Sequence, residues 1–580
     1  MRRLKVAVPW STLGQVLAIY LAGAWLVLQV IDVLSDNLDL PGWIFRAVLL
    51  LLLVGLPAVL VAALFTSRSG GDSARPLRQA GAAVLAIAVI GGLLVSIPGV
   101  RQTGRKALLG ADLPGVGILP FGYVGADSAN AYLADMISVT LSEVVQRTGV
   151  FSPSWPAVQR FRVPLPPLAE IGRELSVQYI LTGDLIVREG QLELSVWLTR
   201  VRDNTPVWQR TFKGNSQDIA DFEFDIARAV VDSLATYVGI EPEKIPVRRY
   251  TEDTVADSLY ARGLYLMNQF YNMDTTLVAK RLFERAIERD SSFAPAYVAL
   301  AGTISALSRV AWLIPPAEAG PQVRELLRQA QGIAPELADV WRHLGWYYYV
   351  FEWDWTAANL SLREAIEISP KDPESLVMAS FVQIATGHAD SAVNLARAGS
   401  ALEPYNPLIV STECWILYLA HRYSQGAERC RFVVDSVQPG HGAAVAIGQT
   451  IAFTERFLAS PAPAAARDSA AQSLLAAWTP PTVRLQVRGE MSDAMRLAQL
   501  GWDAEARRLL AADMSVDGFR PLRVANVYAA LGDMEMAWQW LETAFEAGDP
   551  NLAEIKSRPE MGPFRADPRY DDFLRRMNLD

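Results

Sequence analysis

Sulfur and imidazole are scarce in this sequence. Its 580 residues include two cysteines, Cys414 and Cys430, and four histidines, His343, His388, His421 and His441. Two cysteines cannot build a disulfide framework or a multi-cysteine zinc site. The histidines are scattered singly and read as ordinary helix or loop residues rather than metal ligands. None has a serine or cysteine partner at a known spacing, so no catalytic residue, metal site or cofactor site is expected, and no enzyme. Positive charge is also short. Lys and Arg number 53 against 62 Asp and Glu, for a formal net charge of −9, which argues against a nucleic-acid binder with its basic patch or excess. Gly115 and Gly117 form a bare GxG, but it precedes a strand, whereas a phosphate-binding loop joins a strand to a helix.

Long apolar runs are abundant instead. Val6 to Ile31, Ala47 to Ser67 and Gln79 to Val100 carry few or no charges, and each can cross a hydrocarbon core of about 30 Å as a helix. A signal peptide, with an apolar stretch of only about 7–15 residues, does not explain three of them. Residues 1–105 are therefore read as three transmembrane helices, with Trp10, Tyr20, Trp25 and Trp43 as interface anchors. Arg2, Arg3 and Lys5 precede the first span, and Arg68, Arg75 and Arg78 separate the second from the third. The positive-inside rule places these segments in the cytoplasm and everything after Val100 outside it, although Arg101, Arg105 and Lys106 work against that assignment.

Residues 115–240 read as a small α/β domain. GVGILPF is a strand and DSANAYLADMISVTLSEVVQRTG an amphipathic helix, followed by the short helix LAEIGRELSVQ. Three strands follow, YILTGDLIV, LELSVWLTRV and PVWQRTF, the first two joined by the turn signal REGQ. DIADFEFDIARAVVDSLATYVG closes the domain as a helix. ILPF, YLADMISVTLSEVV, EIGRELSVQYILTGDL and the closing helix resemble the TolB amino-terminal-like (FlgO-like) domain of bacterial envelope proteins.

From residue 250 to 440 a helix–turn–helix pattern recurs. Trp341, Leu344, Gly345, Tyr348, Ala358, Leu362, Ala365 and Pro370 set its frame, and Pro404 follows Pro370 by 34 residues. This period resembles the tetratricopeptide repeat, in which small residues let helices approach, large ones fill the gap, and stacked units bury a common core. The frame places Trp341 and Tyr348 in the core. Residues 441–485 read as an irregular repeat and linker, with SPAPAAARDSAAQS as a linker or irregular insertion, and residues 486–580 as C-terminal repeats and a capping tail. Cys414 and Cys430 fall on the two helices of one hairpin, about a turn out of phase, and are expected as buried thiols.

The expected fold class is thus multidomain: N-terminal transmembrane helices, a small α/β domain and an all-α tetratricopeptide-repeat solenoid. The tail from LGDMEMAWQW to FLRRMNL resembles the end of a bacterial family of membrane-anchored tetratricopeptide-repeat proteins with a TolB-like domain, often found beneath a cytoplasmic cyclase or winged-helix domain. The resemblance implies a multi-pass protein of the bacterial inner (plasma) membrane. Trp346, Tyr349, Phe381, Trp415 and Tyr418 fall on the groove-facing side of the first helices, and either form an aromatic ladder for an extended peptide or amphipathic helix or pack beneath a neighbouring helix or folded-back segment. The leading expectation is an integral-membrane, envelope-side adaptor that binds a protein or peptide partner in this groove. The alternative is a ligand sensor whose cytoplasmic output is a separate protein, and a hydrolase or transferase within the irregular region comes third.

Overall fold

The computed structural model describes residues 115–125, 130–147, 150–162, 164–216, 219–238, 249–268, 273–310, 312–438, 441–458, 463–477, 492–515 and 520–579. The three runs read as membrane spans lie outside these residues. Among the described residues no helix is long and apolar enough to cross a membrane.

The α/β domain runs β1 (Val116–Ile118), β2 (Gly122–Val124), α1 (Tyr132–Arg147), α2 (Trp155–Val158), α3 (Leu168–Leu175), β3 (Tyr179–Arg188), β4 (Gln191–Arg200), β5 (Thr205–Asn215) and α4 (Ile219–Val238). β1 and β2 both pair with β3 in parallel, and β3, β4 and β5 form an antiparallel meander. Leu192, Leu194, Val196 and Leu198 alternate inward along β4, the pattern of a sheet with one buried face. They meet Ile137 and Leu141 of α1 and Ile226 and Val230 of α4 in one core. The β3–β4 hairpin turns on Glu189 and Gly190, both with positive φ (50° and 81°), as a two-residue hairpin requires. The strand β2 falls in a stretch, GYVGADSANA, whose composition signals only a loop.

The rest is built of helical hairpins: α5 (Thr254–Met267) with α6 (Met273–Arg289), α7 (Ala294–Arg309) with α8 (Pro316–Ile333), α9 (Ala338–Tyr347) with α10 (Trp355–Ile368), α11 (Pro373–Ala385) with α12 (Ala389–Leu402), and α13 (Pro407–Leu419) with α14 (Tyr423–Phe432). Asp372 shows how a unit begins. Its carboxylate accepts from the Glu374 and Ser375 N–H groups, and Pro373 fills the first helical position, where no N–H is needed. Gly345 shows why a small residue recurs, since a Cβ there would come within 2.5 Å of Leu362 Cγ on the paired helix.

Two expectations need correction here. Cys414 and Cys430 are not separate thiols but a disulfide, with Cα atoms 5.5 Å apart. His421, at φ 60° in the tight α13–α14 turn, brings the second helix into register with the first. The linker reading also fails, because α16 (Ala464–Ala477) occupies most of that stretch. Alanine has the highest intrinsic helix propensity and arginine is close behind, and the helix opens on Ala464, Ala465, Ala466 and Arg467. The pairing is nevertheless irregular there. α15 (Gly442–Phe453) packs on α13 and α14, whereas α16 packs on α17 (Asp493–Leu500).

Regular hairpins resume with α17 and α18 (Asp503–Met514), then α19 (Pro521–Ala530) and α20 (Met534–Glu546). Two short 3-10 turns, Pro550–Glu554 and Pro559–Met561, lead to α21 (Gly562–Arg565) and α22 (Tyr570–Arg576). Leu552, Ile555, Met561, Phe564, Phe573 and Met577 from this segment are almost wholly buried in the same core as Val350, Val382 and Ile416. The array therefore curls until its end returns to its middle. Arg520 donates to the carbonyls of Arg309 and Val310 at the end of α7, which closes the curl.

Candidate functional site

The five residues proposed as a groove do converge. Trp346 stacks on Tyr349 with ring centroids 5.0 Å apart, and Phe381 meets both at 5.5 and 5.8 Å. Trp415 stacks on Tyr418, again at 5.0 Å. They line the concave face of α9, α11 and α13, but that face is not open. Tyr349 and Tyr418 have no exposure, Trp415 is 5% and Phe381 8% exposed, and Trp346 is half-buried. The chain's own segment from Asp549 to Met561 lies over them.

The contact is polar as well as apolar. Glu554 accepts from Tyr349 Oη (3.4 Å), Trp415 Nε1 (3.3 Å) and Arg558 Nη2 (2.8 Å). Arg558 also donates to Glu560 Oε1 at 3.0 Å, and Tyr418 Oη to Glu560 Oε2 at 3.1 Å. Ser557 Oγ donates to the Ile384 carbonyl of α11 at 2.8 Å. Arg309 reaches in from α7, 3.3 Å from Glu554, with its guanidinium over the rings of Trp346 and Phe381. Arg558 lies likewise over Trp415. Burial raises the phenols of Tyr349 and Tyr418 well above their ordinary value, and the neighbouring Glu554 and Glu560 add to this. Both therefore remain donors at any physiological pH.

The aromatic spacing points to these rings, but the residues that engage them are invisible locally. Glu554, Arg558 and Glu560 lie together in the tail, and Arg309 stands 245 residues from Glu554. Trp341 and Tyr348, placed in the core by the repeat frame, are only half-buried, and the Trp341 indole N–H donates to Pro335 O. Both still pack against the edge of the core, and the helix continues into a π-turn at Tyr348–Glu352. Tyr349 and Val350, within that turn, are fully buried.

Among the described residues no group of three or more His, Cys, Asp or Glu side chains is placed to hold a metal ion. Ser411 Oγ lies 3.3 Å from His441 Nδ1, and both residues are only 4% exposed. Burial pulls His343 down to about 4, with Arg342 alongside adding to the effect.

No family model matches the sequence, and no curated protein does. Among solved structures the chain is similar to TTC0263, a thermophilic TPR protein of Thermus thermophilus, at 16% identity over 34% of this chain and 98% of that one, with a TM-score of 0.30. It is also similar to PilF of Pseudomonas aeruginosa, at 18% identity over 39% of this chain and 90% of that one, with a TM-score of 0.27. At these values the likeness says nothing of function.

Proposed function

We propose that this chain is a protein-interaction scaffold, anchored in a bacterial inner membrane by its first hundred residues and exposed on the envelope side. The observation that carries the reading is how the hairpin array holds polypeptide. Trp346, Tyr349, Phe381, Trp415 and Tyr418 grip an irregular segment through rings, an indole N–H and phenols, while a main-chain carbonyl takes Ser557. Repeat grooves hold peptide partners by these means, and here the peptide is the chain's own. The five residues are assigned as a grip in cis that fixes the curl of the array, and partners meet the faces the curl leaves outside. The resemblance of the α/β domain to the TolB amino-terminal-like domain, and the Lys and Arg bias around the apolar runs, support the envelope placement.

Topology is tested by alkaline phosphatase fusions. One joined after Asp580 is expected to be active and one at Gly70 inactive, and the reverse pattern would move the array to the cytoplasm. Mild crosslinking in intact cells tests the scaffold role. A reproducible set of envelope proteins should co-purify with the full chain, and recovery of the chain alone would remove the reading.

A further inference from the structure

We infer that the α/β domain binds a small zwitterion, an α-amino acid with an apolar or aromatic side chain, in the cleft where its sheet meets the first helix of the hairpin array. The cleft encloses about 350 Å³, within the range of roughly 300–1,000 Å³ usual for small-molecule sites. It lies beside the link from β1 to β2 and the first turn of α1.

Its walls combine rings with one pair of opposite charges. Phe121 and Tyr123 come from the β1–β2 region, Tyr132 and Asp135 from α1, Arg162 from the connection after α2, and Tyr265 from α5. The rings of Tyr132 and Tyr265 face each other at 6.1 Å, and Tyr132 is 37% exposed. Arg162 donates to both oxygens of Asp135, at 3.0 and 2.8 Å.

That pair saturates neither partner. Guanidinium has five N–H donors, of which Asp135 takes two, so Nε–H and an outer N–H form a second fork able to hold a carboxylate. The Asp135 carboxylate retains lone pairs for an ammonium group. A single charge in a cleft selects by sign, whereas two opposite charges side by side select a molecule that carries both. The Arg162 side chain is 54% exposed, and an ion pair so solvated adds little to stability. The guanidinium also lies 5.9 Å from the centre of the Trp155 ring, which holds it at the cleft with its second fork toward solvent. Because Tyr265 belongs to the array and the other walls to the α/β domain, an occupant would touch both. This inference stands independently of the scaffold reading.

The test is calorimetric titration of the full chain in detergent with L-phenylalanine. 3-Phenylpropionate serves as the carboxylate-only control, phenethylamine as the ammonium-only control and glucose as the neutral one. Saturable binding of phenylalanine is expected, with both half-ligands at least about tenfold weaker, a difference of one decade in Kd. Arg162→Gln and Asp135→Asn should each weaken phenylalanine by a similar factor while melting with the parent. Tyr132→Ala, at an exposed ring, should abolish the preference for phenylalanine over glycine. Absence of saturable binding, equal affinity for 3-phenylpropionate, or undiminished binding by Arg162→Gln would each overturn the site.

Discussion

Arg558 is 4% exposed, between carboxylates of Glu554 and Glu560 that are 1% and 3% exposed. Such a triad is bound to its geometry, because removing the cation leaves buried Glu560 without a positive partner and Glu554 with Arg309 alone. Arg558→Met is expected to cost about 3–5 kcal/mol and to lower the melting temperature of the array. Arg575→Ala, which breaks an exposed pair with Asp572, should change stability by less than about 0.5 kcal/mol. Equal losses in the two variants would show that the triad is not desolvated. The same logic ranks the aromatic residues. Trp415→Ala removes a buried ring and should cost about 3–5 kcal/mol, more than Trp341→Ala, whose side chain is half in solvent. A smaller shift for Trp415 would mean that the C-terminal segment does not cover it. Helical spacing alone gives the opposite ranking of these two tryptophans. It identifies the ring-bearing face correctly, but it cannot register a segment that arrives from more than a hundred positions away to cover Trp415.

At the scale of helices and strands, local chemistry explains most of what is seen. Alternation along β4, the turn at Glu189–Gly190 and the Asp-Pro start of α11 are each written in a few adjacent residues. What escapes such reading depends on a partner element or on a competing signal. Three-residue β2 exists because β3 offers a free edge to it, and α16 forms despite the prolines that precede it. The disulfide depends on how sharply α13 turns into α14, which a left-handed His421 decides. With a sequence separation of 16, closing that loop should stabilise the hairpin by about 3 kcal/mol on the chain-entropy account. Alkylation under denaturing, non-reducing conditions should leave Cys414 and Cys430 unmodified in protein taken directly from cells, and reduction should expose both. Ready alkylation without reductant would show the bond is absent in the cell, and would also count against an oxidising, extracytoplasmic compartment.

At the scale of the whole molecule, the α/β domain rests on two stretches of the array far apart in sequence. Arg147 donates to Tyr260 Oη of α5 at 2.9 Å, while Ser154 donates its N–H and Oγ–H to Glu403, at the end of α12, both at 2.6 Å. The sequence shows neither contact, since each depends on the curl that brings α5 and α12 to one side. The second is a titrating contact. Glu403 is 1% exposed, and burial pushes its carboxyl up to about 7 even though Ser154 and Asn406 donate to it, with the charge of Glu374 adding to the rise. In the unfolded chain a glutamate titrates near ~4.3. Below that value both states hold the proton and the contact costs nothing. Between about 4.3 and 7 only the folded state holds it, so stability falls as pH rises and levels off above about 7. The rise in pKa corresponds to a loss on the order of 3 kcal/mol. Glu223, 3% exposed and raised by burial with Asp257 beside it, acts in the same direction, whereas Asp253, held below its ordinary value chiefly by the Ala256 N–H, acts in the opposite one. The informative quantity is therefore the difference between the parent and Glu403→Gln, in which groups not coupled to Glu403, such as Asp253, cancel. The two should melt closest together at and below about pH 4.3, and the variant should gain on the parent from there until the gain levels off above about pH 7. A difference that does not change with pH would mean that Glu403 stays ionised in the fold, and that Ser154 and Asn406 outweigh its burial.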